Sequence, residues 1–151
     1  MDLRTAIYKY CNYQERCHQE VKNKLYELEA STPEVENLLA ELIEANLLNE
    51  ERYARAFARG RFRIKKWGRV KIVQHLKQNR VSAYCIKKGL SEIDGDEYDA
   101  LLQHLAERKW HELRGERNIH QKKGKTYRFL QQRGFETSLI AEAINALIAA
   151  E

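Results

Sequence analysis

Apolar positions recur along this chain at the three- and four-residue spacing of amphipathic helices, and the predicted helices fall into sets of three. Leu3, Ile7 and Tyr10 predict a short helix over 2–12, and Val21, Leu25 and Leu28 a second over 14–29. A third starts at Ser31-Thr32-Pro33-Glu34, with Thr32 as its cap and Pro33 in the first helical position, where no N–H is needed. Val35, Leu38, Leu39, Leu42 and Ile43 share one face of it, and the pattern fades near Asn46. The second set opens at Asn49, an N-cap followed by Glu50 and Glu51, with a long helix to about Ile64. Trp67-Gly68 breaks it. A helix with Val70, Val73 and Leu76 follows, then one capped by Ser82 that carries Ile86 and Leu90. The third set begins near Asp94-Gly95-Asp96, and Tyr98, Leu101, Leu102, Leu105, Ala106, Trp110 and Leu113 make its first stripe. Gly115–Gly124 reads as a loop, Tyr127 and Leu130 mark the next helix, and Leu139, Ile140, Ala143, Ile144 and Leu147 the last.

The sets repeat. Residues 76–90 lie over 130–144 at a constant offset of 54, matching Leu76 with Leu130, Val81 with Phe135, Ile86 with Ile140 and Leu90 with Ile144. The first set fits more loosely: Leu25 aligns with Leu76, but its turn reads as longer. Small helical units bury little surface alone and stack on one another. The expected fold is all-α: three tandem three-helix repeats, 1–48, 49–93 and 94–151, in an elongated, curved arrangement.

Composition agrees. One proline and seven glycines among 151 residues are too few for the many turns of a sandwich or barrel. No apolar run of about 18 residues is present to span a membrane. The polar opening MDLRTAIYKYCNYQER has no signal-peptide core, and three irregularly spaced cysteines do not make a disulfide framework. A cytoplasmic protein is expected.

Charge changes the picture more. Residues 1–50 carry a net of −5, residues 51–90 have 13 Lys/Arg against Glu51 alone, and residues 91–151 carry −2. A central excess of that size calls for a polyanion or an acidic protein surface. At about 100° per residue, Arg52, Arg55, Arg59, Arg63 and Lys66 fall within a wedge of roughly 80°. Tyr53, Phe57 and Ile64 turn away from them toward the core. With only Glu51 among them, the cations read as a row that no i,i+4 partner neutralises. Arg69, Lys71, Lys77, Arg80, Lys87 and Lys88 extend it. Such a row favours recognition of a nucleic-acid backbone over reading of its sequence. Tyr53 and Trp67 are read as core aromatics, with base stacking as the alternative.

No enzyme site stands out. Gly124-Lys125-Thr126 lacks the preceding glycine and strand of a phosphate loop, since Ile119 stands where that glycine belongs. His111-Glu112 has no second histidine, and Cys11, Cys17 and His18 lack metal-ligand spacing. No metal, nucleotide or other cofactor is implied.

The stretch ERYARAFARGRFRIKKWGRVKIVQHLKQNRVS (51–82) resembles the signature of the RecX family of bacterial recombination regulators, through its Glu-Arg-Tyr-Ala opening, Phe57 and the Lys66-Trp67-Gly68-Arg69 corner. QERCHQEVKNKLYEL (14–28) is similar to the family's first-repeat helix and GKTYRFLQQRGFETSLIAEAI (124–144) to its third repeat. The resemblance implies a non-enzymatic modulator that binds the RecA recombinase filament on single-stranded DNA; a monomer is expected. Such a protein restrains strand exchange, ATP hydrolysis and co-protease activity, and so the SOS response. It also implies that Arg52, Tyr53, Arg59, Lys66, Trp67, Gly68 and Arg69 carry family roles. The expected partner and DNA contacts are Arg52, Arg55, Arg59, Arg63, Lys66, Arg69 and Lys71, with Tyr53, Phe57, Trp67 and Gly68 holding the corner and Gly68 supplying a backbone bend at positive φ. A free-standing helix-turn-helix DNA-binding protein and a general helical adaptor remain open readings.

Overall fold

The computed structural model describes residues 1–151 and is entirely helical. Its nine helices are α1 Leu3–Tyr13, α2 His18–Glu27, α3 Thr32–Glu44, α4 Glu50–Arg63, α5 Arg69–Gln78, α6 Ala83–Leu90, α7 Gly95–Glu112, α8 Ile119–Gln132 and α9 Thr137–Ala149. None is long and apolar enough to cross a membrane.

One local device ends four helices, α3 among them, where Asn46 is left-handed at φ 60° and the Leu47 N–H reaches the Leu42 carbonyl at 2.9 Å. α2, α5 and α8 each end in a left-handed residue: Glu29 at φ 67°, Arg80 at 57° and Gly134 at 94°. The N–H after it reaches back five residues, from Ala30 to the Leu25 carbonyl at 3.0 Å, Val81 to Leu76 at 3.0 Å and Phe135 to Leu130 at 3.3 Å. The left-handed residue's own N–H closes the inner bond, to Tyr26, Lys77 and Gln131. This is a Schellman end, which satisfies carbonyls the helix leaves open and turns the chain sharply into the next helix. The first set's turn is therefore no longer than the others. It is hidden in the sequence because Glu29 and Arg80 occupy positions where glycine is the usual signal.

The turns after α2, α5 and α8 are each followed at once by an N-cap: Ser31, Ser82 and Glu136. Ser31, not Thr32, caps α3, accepting from the Glu34 N–H while Glu34 accepts from the Ser31 N–H. Asn49 caps α4 and Ser82 caps α6, as their positions predict. Asn118 caps α8, so Ile119–Gly124 is helix rather than the expected loop.

The chain forms two compact units, one of 1–59 with 75–92 and one of 60–74 with 93–151. In the first, Ile7, Val21, Leu25, Val35, Leu39, Leu42 and Leu48 make the main core, and Tyr53, Ala54 and Ala58 of α4 are also buried. In the second, Phe62, Ile72, Tyr98, Leu130, Phe135 and Ile140 are buried, with the Tyr98 ring 5.9 Å from Phe62 and 5.3 Å from Phe135. Ile64, read from the pattern as core, is 78% exposed. α4 ends one residue earlier, and Phe62 fills that place instead.

Candidate nucleic-acid interface

The arginine row of α4 is not bare. Arg52 Nε donates to Glu15 Oε2 at 2.6 Å, and its other nitrogens reach Asn46. Arg55 pairs with Glu51 at 3.1 Å and lies 3.7 Å from Glu92, and Arg59 pairs with Glu92 at 3.0 Å. All three lie in the first unit, and each meets at least one carboxylate. The expectation of a row without an i,i+4 partner fails at Glu51, four residues before Arg55, and Glu15 and Glu92 from distant parts of the chain add to the neutralisation. These pairs are partly exposed, so each is worth only about 0–1 kcal/mol. They nonetheless lower the charge an anion would feel.

Along α4 and the corner that follows it, the free cations lie in the second unit. Arg63, Lys65 and Lys66 are exposed and form no ion pair. Lys66 takes the left-handed conformation at φ 59°, which carries the chain off the end of α4. The next residue, Trp67, is half-buried, with the Arg61 guanidinium 5.4 Å and the Lys71 Nζ 4.5 Å from its ring centroid. The arrangement is an indole with cations over its ring beside three unpaired ones, which suits a phosphate backbone.

The corner itself is held from outside. The first N–H groups of α5 have no partner within the helix. Gly68 N–H donates to the Arg133 carbonyl at 2.7 Å, Val70 N–H to the Gly134 carbonyl at 2.9 Å, and Arg69 N–H to the Tyr98 hydroxyl at 2.9 Å. The Arg133 side chain returns to the Lys65 carbonyl at 3.0 Å. Gly68 does not have positive φ, contrary to expectation. It is glycine because a Cβ there would lie 2.4 Å from the Gly134 carbonyl carbon and oxygen.

Arg69 is committed to this frame. Its guanidinium donates to Glu136 at 2.8 Å and covers the Tyr98 ring at 3.8 Å, while the Tyr98 hydroxyl donates to the other Glu136 oxygen. Glu136 makes no side-chain cap on α9. It stands where Ser31 and Ser82 stand in the sister turns, a departure that the repeat alignment displays and that sequence reasoning passed over, as it passed over Lys65.

Burial, then the bond to Glu136, push the Tyr98 phenol well above its ordinary value. Burial does the same for Tyr53, which accepts a 3.3 Å hydrogen bond from Asn79 and packs on Phe57. An unfolded phenol ionises near pH 10. A raised folded value therefore adds stability that is complete below about pH 10 and is lost as the pH climbs above it. Urea melts at stepwise higher pH should show this decline, and Tyr98→Phe should shrink it. The same variant should lose about 1–3 kcal/mol at neutral pH, because the Arg69 N–H and Glu136 lose their buried partner.

Two family models match the chain: the second three-helix domain of RecX over 49–90 and the third over 96–144. A regulatory protein RecX of Prosthecochloris aestuarii is 31% identical over 97% of this chain and 96% of its own length. The chain belongs to the RecX family. A second RecX, from Pelodictyon phaeoclathratiforme, is also 31% identical, over 95% of this chain and 88% of its own. The crystal structure of RecX from Lactobacillus salivarius has the same fold, with a TM-score of 0.83 at 22% identity over 97% of this chain and 95% of that one. RecX is a family of regulatory proteins, and a tandem three-helix fold and a regulatory role follow for this member. In RecX terms, α4–α6 fall within the second matched domain, and the third takes in α7 from Asp96, α8, and α9 as far as Ile144.

Proposed function

We propose that this chain binds the RecA recombinase filament on single-stranded DNA and restrains its ATP hydrolysis, strand exchange and co-protease activity. Family membership along nearly the whole chain supports the regulatory role. The observation that carries the contact is the cluster of Arg63, Lys65 and Lys66, exposed and free of carboxylates beside Trp67, whose ring lies under Arg61 and Lys71. In this reading these cations meet filament DNA phosphates, with Lys71 behind them. Arg52, Arg55 and Arg59 keep partial charge and give a second, weaker contact. Arg69 and Gly68 hold the corner in shape. The protein acts in the cytoplasm as a monomer of three repeats, 1–48, 49–93 and 94–151, without a cofactor.

Binding through phosphates requires salt sensitivity. Affinity for a polythymidylate strand should fall steeply between low and moderate salt, with little change among strands of different sequence. Salt-independent binding would contradict the proposal.

A second reading has one observation in its favour. α6 follows α5 through a tight turn and exposes Lys87 and a 62% exposed Tyr84 with Lys88 over its ring. That is the place of a recognition helix in a helix-turn-helix protein. A footprint on defined duplex DNA without the recombinase would favour this reading over the first.

A further inference from the structure

α9 is more apolar than its own unit requires. Of its 13 residues only Glu142 is charged, yet only Ile140 and Ile144 are buried. Leu139 and Leu147 stay half-exposed, and with Leu102 and Ala106 of α7 they line an open groove of about 380 Å³. Its rim carries Asp99, Glu107 and Glu142, all exposed, none in an ion pair, and no Lys or Arg lines it.

The sister crossing in the second repeat is tight at one point. There Gly89 of α6 lies so close to α4 that a Cβ would sit 2.7 Å from the Ala54 carbonyl oxygen. The third repeat has Ala143 where Gly89 stands and, counted from the N-caps Asn49 and Asp94, Asp99 where Ala54 stands, and both line the groove.

We propose that the groove between α7 and α9 is the protein-docking surface of this chain and takes a basic amphipathic helix of its partner. The inference rests on the proposed role as a filament-bound regulator and divides the labour there: the cationic corner meets DNA, the groove meets protein. Three carboxylates repel nucleic acid and attract lysine and arginine. The apolar lining runs along about 12 Å of α9, from Leu139 to Leu147, enough for two turns of a helix with apolar anchors at i, i+3 or i+4, and i+7. Small side chains such as Ala106 and Ala146 let that helix approach closely.

The test uses the full chain and two variants. Glu107→Lys/Glu142→Lys reverses the rim at exposed, unpaired positions, and Ala146→Trp fills the groove without changing charge. The first probe is a short fluorescein-labelled amphipathic helical peptide, with leucines on one face and lysines flanking them, read by anisotropy. The second is the recombinase filament on single-stranded DNA, read by ATP hydrolysis. Both variants should melt like the parent and bind single-stranded DNA as it does. Both should bind the peptide and restrain the filament at least about tenfold less well. A peptide that the parent does not bind, or that all three proteins bind alike, overturns the groove. So do variants that restrain the filament as well as the parent. Self-association of the parent that both variants lose would overturn it too, by giving the groove to a second copy. If the parent binds the peptide in the groove but leaves the recombinase untouched, the groove stands and the proposed function falls.

Discussion

Gly68→Val is expected to lose about 3 kcal/mol or more of stability, a large share of what a domain of this size has. The new Cβ meets backbone, not a side chain that can swing aside: Gly134 carbon and oxygen at 2.4 Å and the Phe135 nitrogen at 2.5 Å. Moving away breaks the bonds by which Gly68 and Val70 donate to the α8–α9 turn and leaves those N–H groups open. Gly134→Ala should do comparable harm for two reasons, a φ of 94° and a Cβ placed 2.2 Å from that of Lys71. Gly60→Ala is the control. Nothing lies within 4 Å of its Cβ position, and it sits inside α4, so it should gain up to about 1 kcal/mol. Trp67→Ala should cost less than Gly68→Val, since the indole is only half-buried. Equilibrium urea melts order the four proteins, and a Gly68→Val protein as stable as its parent would contradict the corner described above.

Changing Arg63, Lys65 and Lys66 together to alanine should leave the melting temperature near that of the parent, because all three are exposed and unpaired. Binding to single-stranded DNA should change markedly. At roughly 0.7 per phosphate, losing three contacts lowers the salt slope by about 2. The matched change of Arg55 and Arg59 should have a smaller effect on the slope than their number implies, since Glu51 and Glu92 already neutralise them in part. Fluorescence titrations at several salt concentrations measure both. Equal slopes for the parent and the triple variant would mean that the cluster is only a solvated surface.

The periodicity of apolar positions was sufficient for the helices because each buries a single stripe, and Asn49 and Ser82 marked their helix starts by chemistry alone. Ile64 misled because periodicity does not say where a helix stops. The Schellman ends at Glu29 and Arg80 were illegible because tertiary packing, not glycine, sets their backbone there. The arginine row was legible as geometry on one helix. Of its neutralisation only the Glu51–Arg55 pair was within reach of the sequence, since Glu15 lies 37 residues from Arg52 and Glu92 33 from Arg59. Gly68 stood out in the sequence, but for the wrong reason: its neighbour across the corner, Gly134, comes from another repeat. Glu136 and the pair Asp99 and Ala143 were visible only as departures from the repeat, and a departure acquires meaning once the contacts around it are known.

The most direct test of the proposed regulation is ATP hydrolysis by the RecA recombinase on single-stranded DNA, titrated with the parent chain and with the Arg63/Lys65/Lys66 triple-alanine variant. The parent should slow hydrolysis progressively with concentration, and the variant should need about tenfold more to reach the same effect at moderate salt. Hydrolysis that stays unchanged at a saturating concentration of the folded parent would contradict the account.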